Sequence, residues 1–310
     1  NTNHFEQSTE MVRTKPGCWR SCIPLALRYF RFGGPVKGHV SFCSQVDWNP
    51  PAGGFECSDP RKVLMWKTGV ETLRLCTRTF LVDGIKRDRL PWAADLAVEI
   101  LAEAYSFGDS EPIKRTLAAL GSGDPRKVGN VNGIASFSMW WIVAHDLLQK
   151  YFAEADYLKL HYPRIRERID ELETHEDERG FFTRDLGWNF MDWTGRDGGM
   201  LKSEISLQII YYAALMSGVR LADRVGKTED AALYRKRSGN WKNVFDPSLG
   251  LVRGRATKGN WREPFDPYAL GHGADLANDF TEGNAFQYSW HVMQDPQGLI
   301  EAMGGREKFA

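Results

Sequence analysis

The sequence predicts a mainly α-helical protein built from helical hairpins arranged as a ring, with a short β segment near its N-terminal end. From Asp59 onward, apolar residues recur at three- and four-residue steps, which is the spacing of one helix face. The predicted helices are joined alternately by short linkers and by long linkers rich in aromatic and acidic residues. In such a ring the long linkers meet at one end, where binding and catalytic loops are expected.

The composition argues against two classes of function, nucleic-acid binding and membrane spanning. The 310 residues carry 40 basic and 40 acidic side chains, which does not favour nucleic acid or an anionic membrane as a partner. Since no run of about 18 apolar residues occurs, we expect no membrane span. The aromatic share of 12%, which includes 11 tryptophans, suits a carbohydrate-binding surface and equally a large aromatic core.

The chain starts at Asn1, and residues 1–14 are polar without a signal-peptide pattern, which predicts a processed or cut terminus. Five cysteines lie in the first quarter of the chain. Their odd number and the lack of paired Cys-x-x-Cys spacing argue against a disulfide framework or a zinc site. We expect buried thiols, and the compartment stays open; the cysteines are Cys18, Cys22, Cys43, Cys57 and Cys76.

Residues 1–58 form the first predicted unit, a β arm or the remnant of a β-sandwich. Residues 25–32 alternate apolar and basic side chains as a half-buried strand does, and residues 37–46 can form a second strand after a Gly-Gly-Pro turn. Two strands do not make a stable sheet alone. This unit is therefore predicted to belong to a larger β-domain or to pack on the helices.

Residues 59–310 form the second predicted unit, a helical domain. It opens at Asp59-Pro60, a helix N-cap followed by a first-turn proline. Nine helices are predicted, at about residues 60–79, 92–107, 111–120, 136–151, 156–173, 203–225, 229–244 and 281–293, with a last one from residue 296. The linkers 176–202 and 246–280 are long enough to predict functional loops.

The most distinctive stretch runs from Asp83 to Asp95 and joins the first two helices. Asp83-Gly84 predicts a turn, and Asp95 falls in the first turn of the helix that begins after Trp92. Aromatic rings stack on sugars, and paired carboxyl groups cleave glycosidic bonds. The alternative interpretation is a solvated, capped helix start with surface salt bridges.

Within this stretch, Asp88 is the best candidate for a proton donor. Its neighbours Arg87 and Arg89 would lower its pKa, so a donor role requires burial or the nearby carboxylates Asp83 and Asp95. An inverting mechanism also needs a base about 6.5–9.5 Å away, which leaves room for a water molecule.

Glu282 is the candidate for that base. The alternative interpretation is that Glu282 is only part of a helix start that Thr281 caps. In the long linker, Asp192-Trp193 repeats the pairing of an acid with an indole. His145 and His161 lie inside predicted helices without metal-ligand spacing and are expected to pack in the core. A serine or cysteine nucleophile motif is absent from the sequence.

Residues 25–227 resemble the α-L-rhamnosidase family of glycoside hydrolases. The matching motif is Asp83-Gly84, Arg87-Asp88, Trp92 and Asp95 at the family's spacing. The resemblance implies an (α/α)6 toroid preceded by β-sandwich domains. It also implies a general acid at Asp88, where the family usually has Glu, and a sugar site formed by the other motif residues. The stretch from Trp188 to Trp193 resembles the loop that closes the family's pocket.

Residues 226–310 resemble a different family, the calcium-dependent, inverting exo-α-mannosidases, which also have an (α/α)6 catalytic domain. The matching segments are 241–247, 254–255, 261–267 and 280–288. The chain thus looks like a hybrid of two related toroids joined near Gly226. Nine predicted helices against twelve in a complete ring imply an incomplete toroid.

Three functions remain open from sequence. The first is inverting hydrolysis of terminal α-L-rhamnosides without a cofactor, with Asp88 and Glu282 as catalytic residues. Its substrate-binding residues would be Asp83, Arg87, Trp92, Asp95, Trp188, Asp192 and Trp193. The second is α-mannoside hydrolysis with calcium bound near residues 282–287. The third is carbohydrate binding without catalysis.

Overall fold

The computed structural model describes residues 10–22, 35, 37–43, 49–85, 88–182, 186–187, 204–255, 260–269, 280 and 283–310. Within these ranges the protein is mainly helical, as the sequence predicts. The fold consists of helical hairpins with two small β-hairpins.

The N-terminal β segment is a hairpin at a position that we did not predict. Strand β1 (Met11–Lys15) pairs antiparallel with β2 (Cys18–Ser21). The turn between them contains Pro16-Gly17, and Gly17 has a φ of +73°, a conformation that glycine adopts without strain. The Pro-Gly pair between two short segments was the overlooked sequence signal.

The strand predicted at residues 37–46 is wrong over its described part, residues 37–43. Val40 and Phe42 are exposed there, and no strand of the described residues runs beside them to complete a ladder. The strand predicted at 25–32 lies outside the described residues.

Eleven α-helices occur in the described ranges. They are α1 (Pro60–Cys76), α2 (Ala93–Tyr105), α3 (Glu111–Leu120), α4 (Pro125–Val128), α5 (Ala135–Phe152), α6 (Ala155–Glu173), α7 (Glu204–Arg224), α8 (Thr228–Ser238), α9 (Ala285–Ser289), α10 (Pro296–Ala302) and α11 (Arg306–Phe309). A 3-10 turn (Gly239–Val244) leads from α8 into β3 (Phe245–Asp246), which pairs with β4 (Leu251–Val252).

The helix predicted at 60–79 ends at Cys76, and two other predicted helices were too long by more than one turn. The helix predicted at 229–244 ends at Ser238, because the following residues tighten into the 3-10 turn. The helix predicted at 281–293 spans only Ala285–Ser289, because Asn284 caps its start in a reciprocal capping box with Gln287. Asp59 caps α1 as predicted, and its carboxylate accepts from the Arg61 backbone N–H at 3.0 Å.

Helices α5 and α7 form the centre of the core. Their polar connection is an ion pair of 2.6 Å between Arg220 Nη2 and Asp146 Oδ2. Residues Ile205–Arg224 of α7 have the length and apolar composition of a membrane span, but 89% of that segment is buried inside the protein. This burial is what a core helix of a folded domain requires.

Short linkers connect α2 to α3, α5 to α6 and α7 to α8; we call these three linkers, residues 106–110, 153–154 and 225–227, the short-loop end. Two of them are joined by Glu154, which accepts from the Ser110 hydroxyl and pairs with Lys114 Nζ at 3.1 Å. The alternation of short and long linkers predicted from sequence is therefore present in the structure.

All five cysteines are free thiols, but the prediction of burial is correct only for Cys76 at the end of α1. The other four lie in the first 58 residues, where the described segments are mostly exposed and form no core. His145 is a core residue, as predicted. It is fully buried, its Nδ1 lies 2.9 Å from the Trp141 carbonyl oxygen, and burial lowers its pKa to about 3.

Candidate active site

The long linkers meet at the opposite end of the hairpins from the short-loop end. We call residues 77–92, 121–134, 174–187 and 239–255, of which 86–87 and 183–185 lie outside the described residues, the long-loop end. The first of these linkers is closed by Asp83, whose backbone N–H donates to the Leu90 carbonyl at 3.1 Å. Its carboxylate oxygen Oδ1 lies 3.4 Å from the Leu90 N–H. This pairing folds the Asp83–Leu90 segment into a closed loop at the start of α2.

Asn132 holds the entry to α2. Its side-chain oxygen accepts from the Ala93 N–H at 3.1 Å, and its side-chain nitrogen donates to the Pro91 carbonyl at 2.9 Å. Asn132 adopts a φ of +53°, which asparagine tolerates better than most residues. Sequence reasoning missed this residue, although the Asn130-Val131-Asn132-Gly133 pattern is a turn signal.

Trp92 lies between these two bonds, at the N-cap position of α2. Its ring packs edge-to-face on Phe137 with centroids 5.8 Å apart, and the side chain is half-buried. Phe137 on α5 thus fixes the indole while part of its surface stays open to solvent. An indole held in this way beside carboxylates can bind a sugar ring.

Asn130 in the second linker holds the third linker at the same end. Its side-chain nitrogen donates to the Leu186 carbonyl at 2.7 Å, and its oxygen accepts from the Ser138 hydroxyl at 3.0 Å. Arg168, which is 4% exposed, donates to the Gly129 carbonyl at 2.8 Å from the end of α6. The described parts of three long linkers are therefore joined directly by hydrogen bonds.

The fourth linker is joined to the third through Asn243, which donates to the Arg179 carbonyl at 3.3 Å and accepts from Arg255 through its own carbonyl at 2.5 Å. Arg255 lies over the Trp261 ring at 3.6 Å from the centroid. Buried Arg253 pairs with Asp246 at 3.3 Å. The Asn243 side chain therefore joins the fourth linker to the third, and Arg255 places Trp261 against the fourth linker.

The carboxyl groups of the candidate site surround the start of α2. Asp83 and Asp88 are half-buried and Asp95 is exposed. The structure adds Glu99, whose pKa is raised to about 7 by burial and then by the negative charges of Asp95 and Asp83. Sequence reasoning missed Glu99, although it follows Asp95 by four residues and so lies on the same helix face.

Cys76 at the end of α1 belongs to the same neighbourhood. Burial raises the pKa of its thiol, and the charges of Glu99 and Asp83 raise it further. The charges of Glu99 and Asp83 therefore act on the end of α1 as well as on α2, and the Arg78 guanidinium partly offsets their effect on the Cys76 thiol.

Five predicted site residues lie outside the described residues: Arg87, Trp188, Asp192, Trp193 and Glu282. Their part in the site stays a prediction, as does the separation between the Asp88 and Glu282 carboxyl groups. The other four predicted site residues lie within one short segment: Asp83, Asp88, Trp92 and Asp95. The hydrogen bonds of Asp83 to Leu90 and of Asn132 to Pro91 and Ala93 hold that segment in place.

Asn284 and Gln287, the described polar side chains closest in sequence to position 282, both take part in capping α9. The side-chain oxygen of Asn284 accepts from the Gln287 N–H at 3.1 Å, and that of Gln287 accepts from the Asn284 N–H at 3.0 Å. Both oxygens are thus used in capping α9. Elsewhere in the described ranges, no three His, Cys, Asp or Glu side chains are grouped as metal ligands.

Comparison with known proteins decides the family. The model of the glycosyl hydrolase family 92 catalytic domain matches residues 142–310, more than half of the chain. The chain belongs to glycosyl hydrolase family 92. The predicted resemblance to this family is confirmed, and the match begins well before the junction predicted near Gly226.

Solved structures give a second comparison. The family 78 rhamnosidase of Bacillus sp. GL1 is 20% identical with a TM-score of 0.60, over 83% of this chain and 30% of that enzyme. The rhamnosidase from Klebsiella oxytoca with rhamnose bound is 21% identical with a TM-score of 0.58, over 67% and 43%. A family 92 α-mannosidase from Bacteroides thetaiotaomicron is 22% identical with a TM-score of 0.41, over 70% and 26%.

These likenesses show that the family-92 chain shares a helical fold with the rhamnosidases. The chain spans about 30% and 43% of the length of the two rhamnosidases that it matches. No curated protein matches the chain.

Proposed function

We propose that the protein hydrolyses terminal α-L-rhamnosides with inversion, at the start of α2. The observation that carries this proposal is the group of carboxyl side chains beside Trp92, in which burial and like charges raise the pKa of Glu99 to about 7. Glycoside hydrolysis needs a group of carboxyl side chains that includes a protonated one, and this part of the molecule places Glu99, which keeps its proton near pH 7, beside the carboxyl groups of the candidate site.

In this proposal, Asp88 donates a proton to the leaving oxygen. Asp83 and Asp95 accept hydrogen bonds from sugar hydroxyls, and Trp92 packs against the sugar ring. Arg87, Trp188, Asp192 and Trp193 complete the subsite from the neighbouring loops. Glu282 activates water from the opposite side, about 6.5–9.5 Å from the donor.

Glu99 adds a supporting role that follows from its position. In its protonated form it adds no negative charge beside Asp83 and Asp95, and its O–H can donate a hydrogen bond to a sugar oxygen. When Glu99 ionises, that donor is lost. Substrate binding is therefore expected to weaken as the pH rises through about 7.

The second candidate substrate is a terminal α-mannoside. Membership in glycosyl hydrolase family 92 favours it, because the mannosidase resemblance covers the same C-terminal part of the chain. This candidate calls for calcium bound near residues 282–287, of which Glu282 lies outside the described residues.

A panel of aryl glycosides, assayed with and without a chelator, separates these candidates. The proposal predicts cleavage of aryl α-L-rhamnosides in both conditions, with the rate of Asp88→Asn reduced by about 100-fold or more. Cleavage of aryl α-mannosides that stops on chelation would replace the first candidate by the second. Sugar binding by calorimetry without hydrolysis of any aryl glycoside would leave a carbohydrate-binding protein.

A further inference from the structure

The second long linker makes a tight turn at residues 129–134 that contacts two other linkers of the long-loop end. Asn132 in this turn bonds to the backbone at the start of α2, beside the proposed acid site. Two residues earlier, Asn130 bonds to Leu186 in the third linker. The turn therefore joins the segment that carries the acid site to the third linker.

The side-chain amide of Asn130 has one orientation because Ser138 fixes it. Ser138 is 0% exposed, and its hydroxyl oxygen accepts from the Val131 N–H at 3.0 Å. The hydroxyl proton is therefore available to donate to Asn130 Oδ1, which lies 3.0 Å away. With its oxygen engaged, Asn130 directs its nitrogen to the Leu186 carbonyl oxygen, at 2.7 Å. Both ends of this amide are thus committed to protein groups, which suits a residue that positions others.

Asn130 holds the backbone just before a proposed sugar-binding residue. Leu186 is 4% exposed, and among the described residues Asn130 makes the only hydrogen bond to it. The next residue, Gly187, has a φ of +78°, a conformation that glycine adopts without strain. Trp188 follows directly in the sequence. A shift of the Leu186 carbonyl would therefore shift the backbone that leads into Trp188.

Asn243 makes a similar bond at a different place in the third linker. Its side chain is half-buried, as that of Asn130 is, and its nitrogen donates to the Arg179 carbonyl at 3.3 Å. Arg179 lies nine positions before Trp188, whereas Leu186 lies two positions before it. The two asparagines thus bond to the same linker by the same chemistry, at different distances along the chain from Trp188.

The Arg179 part of the third linker is also held by Gln208 on α7. Gln208 is 2% exposed, its side-chain nitrogen donates to the Gly180 carbonyl at 2.9 Å, and its oxygen accepts from the Phe182 N–H at 3.0 Å. Loss of the Asn243 bond therefore leaves this part of the linker anchored by Gln208.

We propose that Asn130 is a positioning residue for the glycosidase reaction, because it sets where the third linker enters the sugar site. This role rests on the proposed function, in which Trp188 binds the sugar. Asn130 itself takes no part in bond cleavage. Its loss is expected to weaken substrate binding and so raise KM, while the carboxyl groups at the start of α2 keep their ionisation.

Steady-state kinetics of Asn130→Ala and Asn243→Ala, on the aryl glycoside that the wild type cleaves, test this proposal. Each substitution removes a half-buried amide bonded to the third linker, so both variants should show a similar small drop in Tm. Asn130→Ala should raise KM by about tenfold and keep kcat within about twofold, because binding common to the ground and transition states is lost. Asn243→Ala should keep the wild-type KM, and both variants should keep the wild-type pH profile.

Asn130→Asp and Ser138→Ala separate positioning from a general loss of stability. Aspartate keeps the acceptor for the Ser138 hydroxyl but loses the donor to Leu186, so it should raise KM as alanine does. Ser138→Ala removes the group that orients Asn130, so KM should rise less. The double variant should have the KM of Asn130→Ala alone, because both residues act through one contact.

Hydrogen exchange gives a second readout that does not depend on activity. The peptide that contains Leu186 and Gly187 should exchange faster in Asn130→Ala than in the wild type, and at the wild-type rate in Asn243→Ala. An unchanged KM in Asn130→Ala, or equal rises in KM in the two alanine variants, would overturn the positioning role. A wild type that cleaves no aryl glycoside would refute the proposed function instead, and unchanged exchange in Asn130→Ala would then overturn the positioning role as well.

Discussion

Two glutamates one turn apart on α2, Glu99 and Glu103, have a pKa raised to about 7, yet their surroundings differ. Glu99 is half-buried, and the charges of Asp95 and Asp83 add to the effect of burial. Glu103 is 1% exposed, and burial is the main cause. One of its oxygens accepts from the Asp109 N–H at 3.2 Å, while the other has no partner among the described residues.

A raised pKa does not by itself mark a functional site, because its cause can lie in the core as well as in a site. Around Glu99 the cause includes carboxylates that a substrate or a substitution can change, at the end of α2 where the long linkers meet. Around Glu103 the cause is the low polarity of the core beside the short-loop end, so its protonation affects stability. Substitutions at these residues and at their neighbours are expected to have different effects on kcat/KM and on stability at the two ends of α2.

Asp83→Asn is expected to give the largest difference in kcat/KM between the two ends of α2. Asparagine keeps the acceptor near the Leu90 N–H but loses the charge that would bind sugar hydroxyls. We expect kcat/KM for the cleaved aryl glycoside to fall by roughly 10–150-fold, equivalent to about 1.5–3 kcal/mol. Asp109→Asn is the matched change at the short-loop end and should leave kcat/KM unchanged. Equal losses in both variants would remove the distinction between the two ends.

Glu103→Gln is expected to change the pH dependence of stability. The folded-state pKa of Glu103 lies above its ordinary value of 4.5, so its favourable protonated form is fully present below about pH 4.5. That stability, up to about 3 kcal/mol, is lost as the pH rises through about 7.

Urea unfolding at pH 5 and pH 8.5 measures this effect. Glu103→Gln should match the wild type at pH 5 and be more stable than the wild type at pH 8.5. Glu99→Gln, on the more exposed side chain, should gain less at the higher pH. If Glu103→Gln loses as much unfolding free energy between pH 5 and pH 8.5 as the wild type does, then Glu103 is not the group whose ionisation destabilises the fold.

Asn132→Gly tests the contacts that hold the entry to α2 and is expected to change stability more than catalysis. Glycine accepts the φ of +53° but loses the bonds to Pro91 and Ala93, so the variant should lose about 1–3 kcal/mol of unfolding free energy. Asn132→Ala should be less stable again by about 1 kcal/mol, because alanine is strained at this φ. Thermal unfolding and KM check the pair. A glycine variant as stable as the wild type would show that Asn132 does not hold α2 in place.

The helices could be predicted from sequence because their apolar periodicity is local. The bounds of α3 agree with the prediction, and those of α2, α5 and α6 agree within two residues. The strand predictions failed where a turn signal was missed and where pairing with another strand is needed. The Pro16-Gly17 hairpin was overlooked, and the strand predicted at 37–46 has no neighbour among the described residues to pair with.

The site was predictable only in part, for a related reason. Asp83, Asp88, Trp92 and Asp95 could be selected because they stand close together in sequence. The spacing of Glu99 from Asp95 is visible in the sequence, but its raised pKa depends on burial and on a charge sixteen positions upstream, which the sequence alone does not show. Asn130 and Asn132 act through backbone groups of distant loops, and a single sequence does not record such contacts.

The most direct test of the acid site is the pH profile of kcat/KM for an aryl α-L-rhamnoside in the wild type, Glu99→Gln and Glu103→Gln. If the start of α2 is where the glycoside is bound and cleaved, the wild type and Glu103→Gln should share a decline centred near pH 7. Glu99→Gln should lack that decline. A profile that Glu99→Gln leaves unchanged, or that Glu103→Gln shifts instead, would contradict the placement of the active site at the start of α2.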